Sequence, residues 1–473
     1  MLIRLATVLV ALGLVTGGAS ARPMGVDHAL AATAPAGAGA PGIGDPYFPE
    51  DGNGGINVLS YDVHDAYLFD GRLSGWTRLT LRTTESLRSF DLDFLLPVSS
   101  VRLSTGPAAF DRPTRHELRI TPQHTLPAGT TVRVTVHYAG RPGRYAYAGE
   151  SNWVADATEA EAVNEPHMAP WWFPADDHPL DKARMDLHIT VPGDRQVVAN
   201  GHLVGVRRAA GHATYHWSGG GPMATYLAFF VAGRFVVRQG TSHHLPYYVA
   251  VSRQLDPSAR RAALKGLLRT PAIVAWLQKQ VGRYAFGPTG GVVTSLDPGF
   301  SLENQTRPVY PRAVFRLLMV HELAHQWFGD SVSVHHWADV WLNEGFATYM
   351  EHRWTEGHGG ETTARWLRRA YAENAADSSF WDLVVADPGA GDLFDWPVYQ
   401  RGAMTLAALR NRIGSATFAG LLRRWTALHR YGHGTTDAFE TLAEKRSGQD
   451  LTEFFDAWVR QPGRPADTTA NGL

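Results

Sequence analysis

His321 and His325 stand four residues apart with Glu322 directly after the first, and Glu344 follows after eighteen intervening residues. On an α-helix, residues i and i+4 lie one above the other on the same face, so the two imidazoles can reach one ion. Glu322 lies on a neighbouring face, where its carboxylate can reach a water on the metal without ligating the metal itself. Two histidines and one glutamate fill three of the four tetrahedral positions of a zinc ion. The fourth stays open to water, which separates a catalytic zinc from a structural one. The fold must therefore supply a helix carrying both histidines and a second element packed on it that brings Glu344 to the same point.

Chance is a weak competitor. With 21 His in 473 residues, a random H-E-x-x-H has a probability of roughly a few per cent, and a Glu at one fixed later position cuts that about twentyfold. His116-Glu117 serves as an internal control, because Ile120 stands where the second histidine would be and Arg115, Leu118 and Arg119 alternate like a strand. That pair reads as an ordinary surface dipeptide.

Local context predicts a helix around the motif. Pro311 is placed to open it, Val314, Leu317, Leu318, His321 and His325 recur at helical spacing on one face, and Gly329 ends it. A second helical stretch begins near Trp341 and runs on through Tyr349 and Met350, with Glu344 in its first turn.

A chain of 473 residues is long enough for two globular units. Lys and Arg total 44 against 45 Asp and Glu, with no run of like charge, so nucleic acid and anionic lipid are excluded as expected partners. The start resembles a secretory signal: Arg4 gives it positive charge, residues 5–15 are apolar but too few to span a bilayer, and Ala19-Ser20-Ala21 is an A-x-A cleavage site. Residues 1–21 are thus expected to be removed and the protein secreted, without a stable membrane anchor. Residues 22–44, rich in Ala, Gly and Pro, are expected to be a disordered leader. The chain has no Cys, which rules out disulfides and thiolate zinc ligands.

Residues 45–240 read as a β-rich module. Val132, Val134, Val136 and Tyr138 alternate with Arg133, Thr135 and His137, and Phe235-Val236-Val237 reads as the module's last strand. Residues 241–462 read as a second, mainly helical unit. It opens with a short strand at 247–251, followed by Asp256-Pro257 as N-cap and first helical residue, and Pro271 breaks the helix that follows. Residues 418–428 and 451–459 are amphipathic, whereas 463–473 read as a flexible tail. Trp171 and Trp172 are expected to pack the domain junction, and the pair His335-His336 to be structural or exposed.

Glu303 lies in Phe300-Ser301-Leu302-Glu303-Asn304, upstream of the motif, and Tyr399 in Val398-Tyr399-Gln400-Arg401-Gly402-Ala403. With these, the chain resembles the aminopeptidase N family of zinc metallopeptidases, within the gluzincin group. The sharpest elements are His321 to Gly329, Trp341 to Ala347 and the Tyr399 segment; Phe173-Pro174-Ala175-Asp176-Asp177 and Ala199-Asn200-Gly201 are softer matches. The resemblance implies an α+β architecture, an N-terminal antiparallel β-rich domain followed by a mainly α, thermolysin-like zinc peptidase domain. It also implies one Zn2+ per chain on His321, His325 and Glu344, with Glu322 as base and Tyr399 as oxyanion donor. Glu303 and, from the β domain, Glu165 would bind the free α-ammonium of a peptide substrate.

Two departures stand out. In the G-x-M-E-N motif the Gly is Phe300 and the Met is Leu302, which bears on the shape of the first substrate pocket. Larger relatives also carry a long C-terminal helical domain, and the chain is expected to be a short form without it, with a more open cleft. A secreted zinc endopeptidase would share the triad and base without needing Glu303 or Glu165. An exported binding protein with a vestigial metal site is the reading from another class.

Overall fold

Alternating apolar residues build the first half around a nine-stranded sheet in the computed structural model, which describes residues 37–473. Its spatial order is His202–Ala209, His212–Ser218, Arg184–Pro192, Ile56–Tyr67, Leu73–Thr83, Thr131–Gly140, Val98–Leu103, Gly106–Asp111 and Arg119–Pro122. Neighbours are antiparallel except Ile56–Tyr67 against Arg184–Pro192. In Thr131–Gly140 the predicted alternation is realised, with Val132, Val134, Val136 and Tyr138 buried and Arg133 and His137 facing out. Each such buried aliphatic side chain contributes about 1.5–3 kcal/mol. A smaller sheet, Gln196–Ala199, Phe230–Gly233, Ala160–Ala162 and Trp153–Ala155, completes this half.

Trp171 and Trp172 are fully buried, and their aromatic and hydrogen-bond partners lie inside this half rather than at a junction. The Trp172 ring meets Phe173 and Phe230, and Trp171 Nε1 donates to the Tyr145 carbonyl at 3.1 Å. The expected signal peptide, 1–21, lies outside the described residues, as does the leader up to residue 36. From residue 37 the expected leader is not free. Gly39 N donates to Ser89 O and Gly54 N to Ala40 O, both at 2.9 Å, so backbone pairing holds a segment whose composition alone promises no core.

A third sheet opens the second half in the order Phe235–Ser242, Leu245–Ser252, Thr289–Thr294 and Val309–Pro311. Phe235-Val236-Val237 therefore belongs to this sheet and does not close the preceding β module, because its hydrogen-bonding partner is the next strand along the chain. Asp256 caps α1 (Pro257–Leu267) by accepting from the amides of Ser258 and Ala259, a cap worth about 1 kcal/mol. Pro271 stands in the first turn of α2 (Thr270–Val281), so the predicted break is present.

The motif helix starts later than the sequence suggested. Pro311 ends a strand paired to Thr294, and α3 spans only Arg316–Ala324. Its buried residues are Met319, Val320, Glu322, Leu323 and Ala324, whereas Leu317 is 43% exposed. The chain then turns through His325 to Gly329, whose φ of 128° lies in the region that favours glycine. After it come α4 (Trp341–Gly357), α5 (Thr363–Glu373), α6 (Trp396–Ile413), α7 (Ser415–Leu428) and α8 (Thr436–Ser447). A β-rich first half followed by a mainly helical second half is the α+β arrangement expected.

The segment 463–473 is packed, not flexible. Leu473 is buried, Tyr371 donates its hydroxyl to Pro465 O at 2.7 Å, and Asn411 Nδ2 donates to Gly472 O at 2.9 Å. Its anchoring comes from backbone carbonyls that satisfy donors of α5 and α6, a role that a search for an apolar face does not register. Among the described residues no helix is long and apolar enough to cross a membrane.

Candidate active site

Packing of α3 against α4 brings the three donors of the sequence motif together. His321 Nε2 lies 3.2 Å and His325 Nε2 3.5 Å from Glu344 Oε2, and one donor atom from each residue lies within 4.8 Å of the others. Ligands held about 2.0–2.1 Å from a tetrahedral zinc stand about 3.3 Å apart, so the spacing suits one ion. The far ring nitrogens agree. His321 Nδ1 is 2.9 Å from Glu351 Oε1, and His325 Nδ1 is 3.0 Å from the Phe328 carbonyl. With each Nδ1–H held by an outer acceptor, both Nε2 lone pairs face the shared point. The donor set is that of a single zinc ion.

Glu322 is buried beside this point and does not join the ligand cluster. Burial pushes its carboxyl up to about 8; His321 and His325 oppose the rise, and Glu303 and Glu344 add to it. Glu303 is also buried and raised, first by burial and then by Glu344, with His325 pulling the other way. Glu165 is raised well above the carboxylate range by burial and by Glu303, Glu344 and Glu322. Its Oε1 is buried without a hydrogen-bond partner among the described residues. Glu165 from the first half and Glu303 from the second thus share one acidic region.

Glu303 is held by its backbone. Gln326, the residue after His325, donates from Nε2 to Glu303 O and accepts from Thr306 N, both at 2.7 Å. The Ala199-Asn200-Gly201 motif secures the other side: Asn200 Nδ2 donates to Gln305 O at 3.0 Å, and Gly201 N donates to Thr306 Oγ1 at 2.7 Å. The buried guanidinium of Arg307 then donates to Gly201 O at 2.9 Å, tying the Glu303 segment to the first half.

Tyr399 lies in the first turn of α6, its ring nearly parallel to that of His321 with centroids 6.0 Å apart. Burial, then the carboxylates of Glu344, Glu165, Glu303 and Glu322, keep its phenol protonated and able to donate. What sets α6 so close to α4 is a pair of glycines. A Cβ added to Gly402 would sit 2.9 Å from the Cα of Gly345.

All seven residues singled out from the sequence therefore belong to this region. His335 and His336 stand outside the ligand cluster and pack on each other, ring centroids 4.4 Å apart. Sequence reasoning missed Glu351 and Gln326. The available signal for Glu351 was its place seven residues after Glu344, two turns further along the same helix face.

Residues 292–458 match the model of the peptidase family M1 domain. Among curated relatives, aminopeptidase M1-C of Oryza sativa subsp. japonica is 27% identical over 347 residues, which is 68% of this chain and 38% of that protein. Aminopeptidase N of Lactococcus lactis subsp. lactis is 26% identical over 332 residues, 64% of this chain and 38% of the relative. The chain matches well under half the length of these relatives. An M1 zinc metallopeptidase from Deinococcus radiodurans, crystallised as a mutant with a Tyr-Ser-Ala substrate, superposes with a TM-score of 0.82 at 27% identity. That match covers 90% of this chain and 100% of that one. A two-domain M1 zinc metallopeptidase mutant bound to L-arginine matches equally, with a TM-score of 0.82 and 99% of its chain covered. Residues 292–458 thus carry the match to the peptidase family M1 domain, and the chain as a whole is similar to aminopeptidases of the aminopeptidase N kind and to two-domain M1 zinc metallopeptidases.

Proposed function

We propose that this protein is a zinc-dependent aminopeptidase that removes the N-terminal residue of peptides, and that it acts outside the cell after cleavage at Ala21. The observation that carries the catalytic reading is the convergence of His321, His325 and Glu344 beside two further carboxylates, the buried Glu303 and Glu165, whose Oε1 is buried. The Tyr-Ser-Ala and L-arginine named for the structural neighbours fit a site that takes a peptide N-terminus. Export rests on the signal-like residues 1–21 alone.

His321, His325 and Glu344 would hold the metal. When bound, zinc supplies Lewis-acid polarisation of the scissile carbonyl and acidifies water. Glu322, buried beside the ligand cluster but not part of it, takes the proton of the attacking water and delivers it to the departing amine. Tyr399 donates its hydroxyl hydrogen to the developing oxyanion. Glu303 and Glu165 accept from the substrate's α-ammonium, whose charge relieves their mutual repulsion. That contact fixes the register, because a chain passing through without a free amine leaves the two carboxylates without a cation to offset their repulsion.

Replacing Glu322 by Gln tests the base. The variant should keep His321, His325 and Glu344 occupied by zinc and lose turnover by several orders of magnitude. Near-normal activity would refute the assignment.

A further inference from the structure

The pair His116-Glu117, which reads as surface from sequence, is buried in the first half with relative exposures of 2% and 1%. Residues 90–94 pair antiparallel with 116–120, setting Asp93 directly opposite Glu117. His116 Nδ1 lies 3.4 Å from Asp93 Oδ1 and 3.5 Å from Glu117 Oε1, and one donor atom from each of the three falls within 4.8 Å of the others. We propose that Asp93, His116 and Glu117 hold a second divalent transition-metal ion, structural and separate from the one at His321.

Spacing is the first argument. The two contacts match the 3.2 and 3.5 Å that relate His321 and His325 to Glu344. The second is that these atoms have no other partner among the described residues. Both oxygens of Glu117, both ring nitrogens of His116 and Asp93 Oδ1 are buried without a hydrogen bond among the described residues. Asp93 Oδ2, by contrast, accepts from Asn53 Nδ2 at 2.9 Å and from Asp177 N at 2.6 Å, which turns Oδ1 towards His116. Leaving such atoms unpaired is costly, and more so when they are charged.

A histidine flanked by two carboxylates in the same half shows what ordinary pairing looks like. His167 uses both nitrogens, Nε2 to Asp51 at 2.5 Å and Nδ1 to Glu150 at 3.1 Å. His116 instead has two carboxylates converging on a single nitrogen, and one N–H cannot serve both. A shared cation can. The guanidiniums nearby are committed elsewhere, Arg119 to Asp91 at 2.8 Å and Arg112 to the Phe94 carbonyl at 2.6 Å. Stacking on Tyr147, with centroids 3.8 Å apart and planes 2° from parallel, fixes the His116 ring. One imidazole with two carboxylates favours zinc or manganese over calcium or magnesium.

The test is metal content after loading the full-length protein with Zn2+ and desalting it. Glu117→Gln, an isosteric change outside the catalytic machinery, should lose one equivalent of zinc relative to the unsubstituted protein while keeping its peptidase turnover. Unchanged zinc content in that variant overturns the proposal. A second measurement uses the His321→Ala/His325→Ala variant, whose unfolding midpoint should fall by several degrees when a chelator replaces Zn2+. No shift on chelation would also overturn it.

Discussion

Gly345 and Gly402 meet back to back where α4 crosses α6, so closely that a Cβ on Gly402 would lie 2.9 Å from the Cα of Gly345. Gly345 follows the ligand Glu344, and Gly402 stands one turn beyond Tyr399. The contact therefore sets the distance between the metal site and the phenol. Gly402→Ala must push the helices apart, with an expected destabilisation of about 1–3 kcal/mol. Displacing Tyr399 should also lower kcat by about tenfold to a hundredfold. Steady-state kinetics and thermal unfolding of the variant check both; unchanged values would mean the contact is not what positions Tyr399.

Glu351 stands behind His321, 2.9 Å from its Nδ1. Glu351→Gln weakens the hold on the ring and on its tautomer, and zinc affinity should drop by about 10–100-fold. Competition against a chromogenic zinc chelator measures this. Equal affinity in the variant would remove Glu351 from the metal site.

The buried His167 gives a pH dependence of stability. Burial alone would depress it, but Asp51 and Glu150 raise it from 6.5 to about 10. The folded state thus holds a proton that the unfolded state has lost between those values, so stability contributed by His167 is complete below pH 6.5 and disappears towards pH 10. Lys182 works in the opposite sense. Its burial lowers it to about 7 from 10.5, so its unfavourable contribution lessens as pH rises. The two are separated by comparing the protein with His167→Gln: in urea unfolding the stability difference should be largest near pH 6 and vanish near pH 10. A difference independent of pH would show that His167 is uncharged in the folded protein.

What was legible in the sequence is what local spacing encodes. His321 and His325 face one point because four residues make about one helical turn, and Asp256-Pro257 signals a helix start because its cap is built from adjacent residues. Strand alternation in Thr131–Gly140 was readable for the same reason. Non-local pairing was not. His116-Glu117 is buried because residues 90–94 pair with 116–120, and nothing next to the dipeptide announces that. Pro311 was equally ambiguous, since it can open a helix or end an edge strand, and the pairing with Thr294 decides. Gly345 and Gly402 look like unremarkable small residues until two helices cross at them.

The central claim is tested most directly by incubating the protein with one peptide in free and N-acetylated forms and identifying products by mass spectrometry. The same assay is repeated after chelation and after Zn2+ is restored. The account predicts that only the free peptide is shortened, one residue at a time from its N-terminus, with activity lost on chelation and regained with zinc. Internal cleavage of the acetylated peptide, or turnover indifferent to chelation, would contradict it.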